Sequence, residues 1–140
     1  MNEQEIYNFP QGIPGFEEYH RFKLMREENS PLAQLLSLEN GGVGFILMPP
    51  DIFFPEYCLE IPEEGKNVLG LNQAQAEVPV EVWVILTNSS DVTQITVNLC
   101  APILLNPQKK LGMQMILNDD KYATRQKLSL KPASEEGAEK

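Results

Sequence analysis

Val80-Glu81-Val82-Trp83-Val84-Ile85-Leu86-Thr87 is the stretch that decides the fold class. It is β-branched and aromatic-rich, and its apolar residues fall on both parities. It therefore reads as a strand buried on much of both faces. Asn88-Ser89-Ser90-Asp91 supplies turn chemistry after it, and Val92-Thr93-Gln94-Ile95-Thr96-Val97-Asn98-Leu99 is a second β-rich run. Together the two runs predict a hairpin. Working outward, Val43 to Met48 is a short apolar run behind Gly41-Gly42, and Gly112 to Leu117 is another. Phe22-Lys23-Leu24-Met25 alternates apolar and charged residues, as an edge or half-buried strand does. Eleven prolines and nine glycines interrupt any long helical pattern. The helical candidates are short: Pro31 to Leu35, with Ser30 as N-cap and Pro31 in the first turn, and a piece from Glu63 to Leu71.

The expected fold class is all-β (mainly β): a small compact β-barrel-like single domain with a few short helices, over residues 1–131. The acidic tail, residues 132–140, has no apolar anchor and is expected to be disordered. A chain of 140 residues with 42% hydrophobic content is long enough for one packed core.

Charge narrows the function. The formal net charge is -9. Residues 1–81 carry 14 acids and 4 bases, whereas residues 82–131 carry 3 acids and 6 bases. Such a balance disfavours a direct nucleic-acid partner, which needs a basic footprint, and an anionic membrane surface. It suits a basic protein partner. No apolar stretch approaches the roughly 20 residues of a membrane helix. The acidic start Met1-Asn2-Glu3-Gln4-Glu5 is not a signal peptide, so a cytoplasmic location is expected. Cys58 and Cys100 are then expected to be reduced thiols, neither bridged nor metal-bound.

Catalytic chemistry finds little support. His20, the only histidine, lies between Tyr19 and Arg21 and reads as a lone surface residue. The acid pairs Glu17-Glu18, Glu63-Glu64 and Asp119-Asp120 are adjacent in sequence, which on a strand sends the two carboxylates to opposite faces. No catalytic, cofactor-binding or metal-binding residue is expected, and no cofactor. An enzyme on a small barrel, using carboxylates the sequence does not pair, is the alternative; a directly RNA-binding barrel is a weaker one.

Two segments stand out. In Phe9-Pro10-Gln11-Gly12-Ile13-Pro14-Gly15-Phe16-Glu17, Pro14-Gly15 suits the centre of a type II turn with Gly15 at positive φ, and Gly12 offers a second backbone exception. Asp51-Ile52-Phe53-Phe54-Pro55-Glu56-Tyr57 sets three aromatics beside acids and extends through Glu60, Glu63 and Glu64. It reads either as a loop covering the end of the core or as a partner-binding patch with aromatic anchors and a charged rim.

The order of such pieces resembles the FliW family of flagellar assembly factors. The resemblance is carried by the Phe9–Glu17 segment, Phe54-Pro55-Glu56-Tyr57, Val82 to Thr87, Thr96-Val97-Asn98-Leu99-Cys100-Ala101-Pro102-Ile103, Asn106 and Tyr122-Ala123-Thr124-Arg125. Its structural motif residues are Phe9, Pro10, Gly12, Pro14, Gly15, Phe16, Asn98 and Pro102. Two departures are visible. Only Met1 to Asn8 precede Phe9, so the family's first strand looks shortened or missing, and Pro50 stands where a polar residue is common.

The resemblance implies a non-enzymatic barrel that binds flagellin near its C-terminal helical region. It also implies binding of CsrA, a small RNA-binding translational regulator, whose antagonism couples flagellin translation to filament assembly. A monomer is expected. The expected partner surface is Asp51, Phe53, Phe54, Glu56, Tyr57, Glu60, Glu63 and Glu64. A generic barrel need not pair the Phe9–Glu17 segment with Asn98–Ile103; a member of this family is expected to.

Overall fold

Alternation in the N-terminal third builds a meander. In the computed structural model, which describes residues 5–57, 59–71, 80–87, 89–117 and 122–128, four antiparallel strands follow one another. They are β1 (Glu5–Asn8), β2 (Arg21–Arg26), β3 (Ala33–Ser37) and β4 (Gly44–Met48). Phe22 and Leu24 of β2 and Ala33 and Leu35 of β3 point inward and are buried. This overrides the helix expected at Pro31–Leu35. Ser30 Oγ does accept the Leu32 N–H at 3.1 Å, but it closes a turn rather than capping a helix. The next residues pair with both β2 and β4, which buries alternate residues, Ala33, Leu35 and Ser37.

β5 (Glu81–Thr87) is buried on both faces, as its composition predicts. Trp83 and Ile85 join the barrel interior, Val82 and Val84 the outer layers. β5 pairs with β4 along one edge. Along its other edge it pairs with β6 (Thr96–Val97) and β7 (Ile103–Asn106). The predicted hairpin is therefore present but short. Asp91 Oδ1 accepts from the Thr93 N–H at 3.0 Å and its hydroxyl at 2.7 Å, and Val92–Gln94 coil into a 3-10 turn. β8 (Leu111–Gln114) pairs antiparallel with β7, and β9 (Gln126–Lys127) with β6. The strand expected over Gly112–Leu117 ends early, although the N–H groups of Met115 and Leu117 still reach Pro102 and Cys100 carbonyls.

The ring β1-β2-β3-β4-β5-β7-β8 closes as a seven-stranded barrel, with β6 and β9 as an appended ribbon. The first strand is thus shortened but present. Its closure with β8 is parallel and consists of the single pair Asn8 and Leu111, with Asn8 N–H donating to Lys110 C=O at 2.8 Å. Phe9 fills the seam from inside, its ring so close to Gly112 that a Cβ there would lie 2.6 Å from it.

Tyr7, Phe9, Ile13, Phe22, Leu47, Trp83, Ile103 and Leu105 form the barrel core. Burial of each such side chain contributes about 1.5–3 kcal/mol. Outside the barrel lie two further apolar layers. One is Met48, Val84, Val97, Leu99 and Leu128; the other is Leu69, Leu104, Met113 and Met115, beneath α1 (Glu63–Val68). The helix falls within the expected Glu63–Leu71 segment. The tail 132–140 and Cys58 lie outside the described residues.

Candidate functional site

The Asp51–Tyr57 segment is two successive turns laid over the second apolar layer. Pro49 enters extended, Pro50 starts a 3-10 turn, Phe54 N–H donates to Pro50 C=O at 2.8 Å and Tyr57 N–H to Phe54 C=O at 2.9 Å. Phe54 and Tyr57 pack down onto Met48, Val84, Val97 and Leu99. The Tyr57 hydroxyl donates to Leu99 C=O at 2.7 Å, and its ring meets Tyr122 with centroids 4.6 Å apart. Burial first, then Tyr122 and Cys100, holds the Tyr57 hydroxyl well above the ordinary phenol range, so it remains a donor.

The same turns leave Ile52 48% and Phe53 41% exposed. Asp51 and Glu56 stand exposed beside them. The segment therefore divides: Phe54 and Tyr57 cover the core, while Ile52 and Phe53 face solvent. A groove of about 520 Å³ runs along Phe53, Phe54 and Tyr57 to Leu99, Tyr122 and Gln126. A second cleft, of about 490 Å³, lies on the other side of Tyr57 and is lined by Asp51, Leu59, Ile61, Val80 and Val82.

The remaining acids are separated from the aromatics. Glu60, Glu63 and Glu64 are exposed, with Glu63 and Glu64 in the first turn of α1, where negative charge is favoured. Glu64 borders a different cleft, shared with Met113 and Gln114 of β8. The eight expected partner residues thus divide into an aromatic group with Asp51 and Glu56, and an acidic group around α1.

The Phe9–Glu17 motif is a folded corner. Gly15 has φ of 92° and Phe16 N–H donates to Ile13 C=O at 2.6 Å, the expected turn. Gly12 has φ of 68°, and a Cβ there would sit 2.7 Å from Glu17 Cα. Phe9 is buried edge-on against Phe22, and Phe16 against Phe45, whereas Pro10 and Pro14 are exposed. The expected pairing of this segment with Asn98–Ile103 is not a backbone pairing. The two meet through Phe9, Ile13 and Ile103 in the barrel core, because Asn8 directs the chain to β8 instead. Asn98 N–H donates to Ile85 C=O and its Oδ1 accepts from Cys100 N–H, while Pro102 is buried. His20 is half-buried rather than free on the surface. Its Nδ1 lies 3.0 Å from the Phe9 carbonyl, and its N–H donates to Glu39. Those backbone donors, His20 then Arg21, hold the Glu39 carboxyl below its ordinary range.

One polar constellation has no sequence signature. Arg26, at the end of β2, donates to Glu5 at 2.7 Å and 3.0 Å and to Glu81 at 2.9 Å and 3.0 Å, and lies over the Trp83 ring. Trp83 Nε1–H donates to Glu81 at 3.1 Å. Burial, then Glu81 and Glu5, pushes the nearby Tyr7 hydroxyl up to about 12. The partners lie 21 and 55 positions from Arg26 in the chain, beyond the reach of any local pattern.

Among the described residues no group of three or more metal-ligating side chains assembles, and no helix is long and apolar enough to cross a membrane. Comparison with known proteins supplies the family. The sequence model of the FliW protein family matches residues 1–128. The flagellar assembly factor FliW of Caldanaerobacter subterraneus subsp. tengcongensis is 37% identical over 123 residues, covering 86% of this chain and 80% of that one. The protein of the same name from Geobacillus kaustophilus is 38% identical over 128 residues, covering 91% and 87%. These relatives are named as assembly factors, not for a reaction. A crystal structure of the flagellar assembly factor FliW superposes with a TM-score of 0.79 at 36% identity, over 95% of this chain and 90% of that one. With its barrel, its Phe9–Glu17 corner and these relatives in agreement, the chain belongs to the FliW family of flagellar assembly factors.

Proposed function

We propose that this protein is a cytoplasmic, non-enzymatic binding protein that takes flagellin and the translational regulator CsrA as partners. It binds the C-terminal helical region of flagellin, and it antagonises CsrA so that flagellin translation follows filament assembly. The observation that carries the reading is the outward aromatic turn. Ile52 and Phe53 stand in solvent beside Asp51 and Glu56, on a backbone pinned by the Tyr57–Leu99 hydrogen bond. Exposed apolar anchors on a rigid support, rimmed by charge, are what a protein interface needs. An RNA-binding regulator must be basic, and the acidic rim suits it.

The test uses purified CsrA and flagellin, each titrated into the wild-type protein and Phe53→Ala, and then both in competition. Phe53→Ala removes an exposed ring and should leave the melting temperature nearly unchanged. It should weaken at least one of the two complexes tenfold or more. Absence of binding by both partners to the wild-type protein refutes the reading.

A further inference from the structure

β8 carries a strand edge that β1 pairs at a single position. It pairs with β7 from Leu111 to Gln114, and just past its end the Met115 N–H bond to Pro102 C=O at 2.9 Å carries the same alternation on, so Leu111, Met113 and Met115 turn their backbone groups toward β7. Antiparallel strands alternate. Gly112, Gln114 and Ile116 therefore turn their backbone groups the other way, toward β1. But β1 meets this edge only at Asn8 and Leu111. Beyond that pair, the outward backbone groups of Gln114 and Ile116 have no backbone partner among the described residues.

Such an edge is normally blunted by a lysine, a proline or a covering element. Leu111-Gly112-Met113-Gln114-Met115-Ile116-Leu117 has no charge and no proline, and Ile116 is 56% exposed. Alongside the edge runs a cleft of about 200 Å³ bordered by Met113, Gln114, Met115 and Ile116, by Glu64 and Val68 of α1, and by Gln11 from the segment after β1. Among its described lining residues Glu64 is the charged one.

We infer that the outer edge of β8 is a docking site for an extended segment of another protein, which adds as a strand against Gln114 and Ile116. Main-chain hydrogen bonds from the incoming strand satisfy the open edge. An aliphatic side chain enters the methionine-lined cleft, where flexible thioethers adapt to its shape. A neighbouring lysine or arginine meets Glu64. The charge of the chain favours this occupant over a second copy of itself, since two molecules at -9 repel while a basic segment complements Glu64. The site shares no described lining residue with the Phe53–Tyr57 groove. Glu64 also belongs to the expected acidic partner surface, so the two proposals are separated by their variants, Ile116 for this edge and Phe53 for the proposed function.

The probe is a seven-residue peptide of alternating lysine and valine, blocked at both ends, added to the full chain with amide exchange and backbone shifts followed by NMR. Saturable binding should slow exchange of the Gln114 and Ile116 amides at least tenfold. The same peptide with alternate amides N-methylated, and a version with glutamate for lysine, should lose at least tenfold in affinity. Ile116→Pro removes an outward N–H without touching the β7 ladder and should abolish the protection. Ile116→Lys, which keeps the backbone, should weaken binding and confirms the site even if the proline variant melts early. No protection up to millimolar peptide, or shifts centred elsewhere, overturns the inference. Concentration-dependent self-protection of the same amides without peptide overturns the choice of occupant.

Discussion

Arg26 and Glu81 face each other across the mouth of the barrel, from the end of β2 to the start of β5, with Nη2 2.9 Å from Oε2. These strands are not neighbours in the sheet. The pair therefore braces the ring across its diameter, and Glu5 ties β1 to the same guanidinium. Arg26 remains 44% exposed, so solvent screens much of the attraction. Arg26→Ala should cost about 1 kcal/mol in urea unfolding, from the ion pairs and the lost contact with Trp83.

The same brace sets an acid response. The Arg26 hydrogen bond holds the Glu5 carboxyl below its ordinary value of 4.5, against an opposing effect of burial. A carboxyl depressed in the folded state adds stability that is complete above the unfolded pKa and is lost as pH falls through the folded one. The wild-type melting temperature should thus fall between about pH 5 and pH 3 more steeply than that of Glu5→Gln. Parallel curves would show that Glu5 is not the responsible group.

Gly12 and Gly15 separate two kinds of glycine requirement. Both have positive φ, but only Gly12 also faces backbone, at Glu17. Gly15→Val should destabilise by at least about 1 kcal/mol through backbone strain alone. Gly12→Val should cost more, because the Glu17 backbone must also move. Chemical denaturation of the two variants gives the order directly, and equal losses would remove the distinction.

Tyr57→Phe deletes the hydroxyl that reaches Leu99 C=O at 2.7 Å while keeping the ring on Tyr122. The expected loss is about 1 kcal/mol. Faster amide exchange should appear in Phe54 to Tyr57, the turns that this bond holds down. A neutral variant with unchanged exchange would show that packing alone positions the segment.

Reversing Glu60, Glu63 and Glu64 to lysine should leave folding nearly intact, since all three are exposed. On the proposed function it should slow association with CsrA at low salt and flatten the salt dependence, with less effect on flagellin. These acids lie apart from Phe53. The reversal should therefore change the on-rate, while Phe53→Ala should raise the off-rate. Stopped-flow association at two ionic strengths distinguishes them, and an unchanged on-rate moves the basic partner to another face.

What the sequence made legible was what periodicity and turn chemistry encode locally. β5 announced burial on both faces, and Pro14-Gly15 announced its turn. Ser30-Pro31 carried a genuine helix-start pattern, yet the strand partners of Ala33–Ser37 outweighed it. Asp91 and Thr93 did hold a signal for the shortened hairpin, an aspartate two residues before a hydrogen-bonding threonine, which the β-rich composition around it masked. The aromatic turn could be named as a patch, but not divided into its buried and exposed rings. That division depends on Leu99, 42 positions away from Tyr57. Likewise the open edge of β8 is a property of where β1 stops, not of the residues in β8.

The placement of β5 has a consequence for synthesis. The β1–β4 meander is complete at Met48, but β5 and β7 on one side and β8 on the other must be made before its edges are covered. Gln114 ends the last of them. At about 5–20 residues per second, translation takes on the order of several seconds to cover that distance. During that interval the nascent chain presents a bare four-stranded sheet with its inner face wet. Any slowing of synthesis between Met48 and Gln114 lengthens that exposure, because the barrel cannot close until β8 is available.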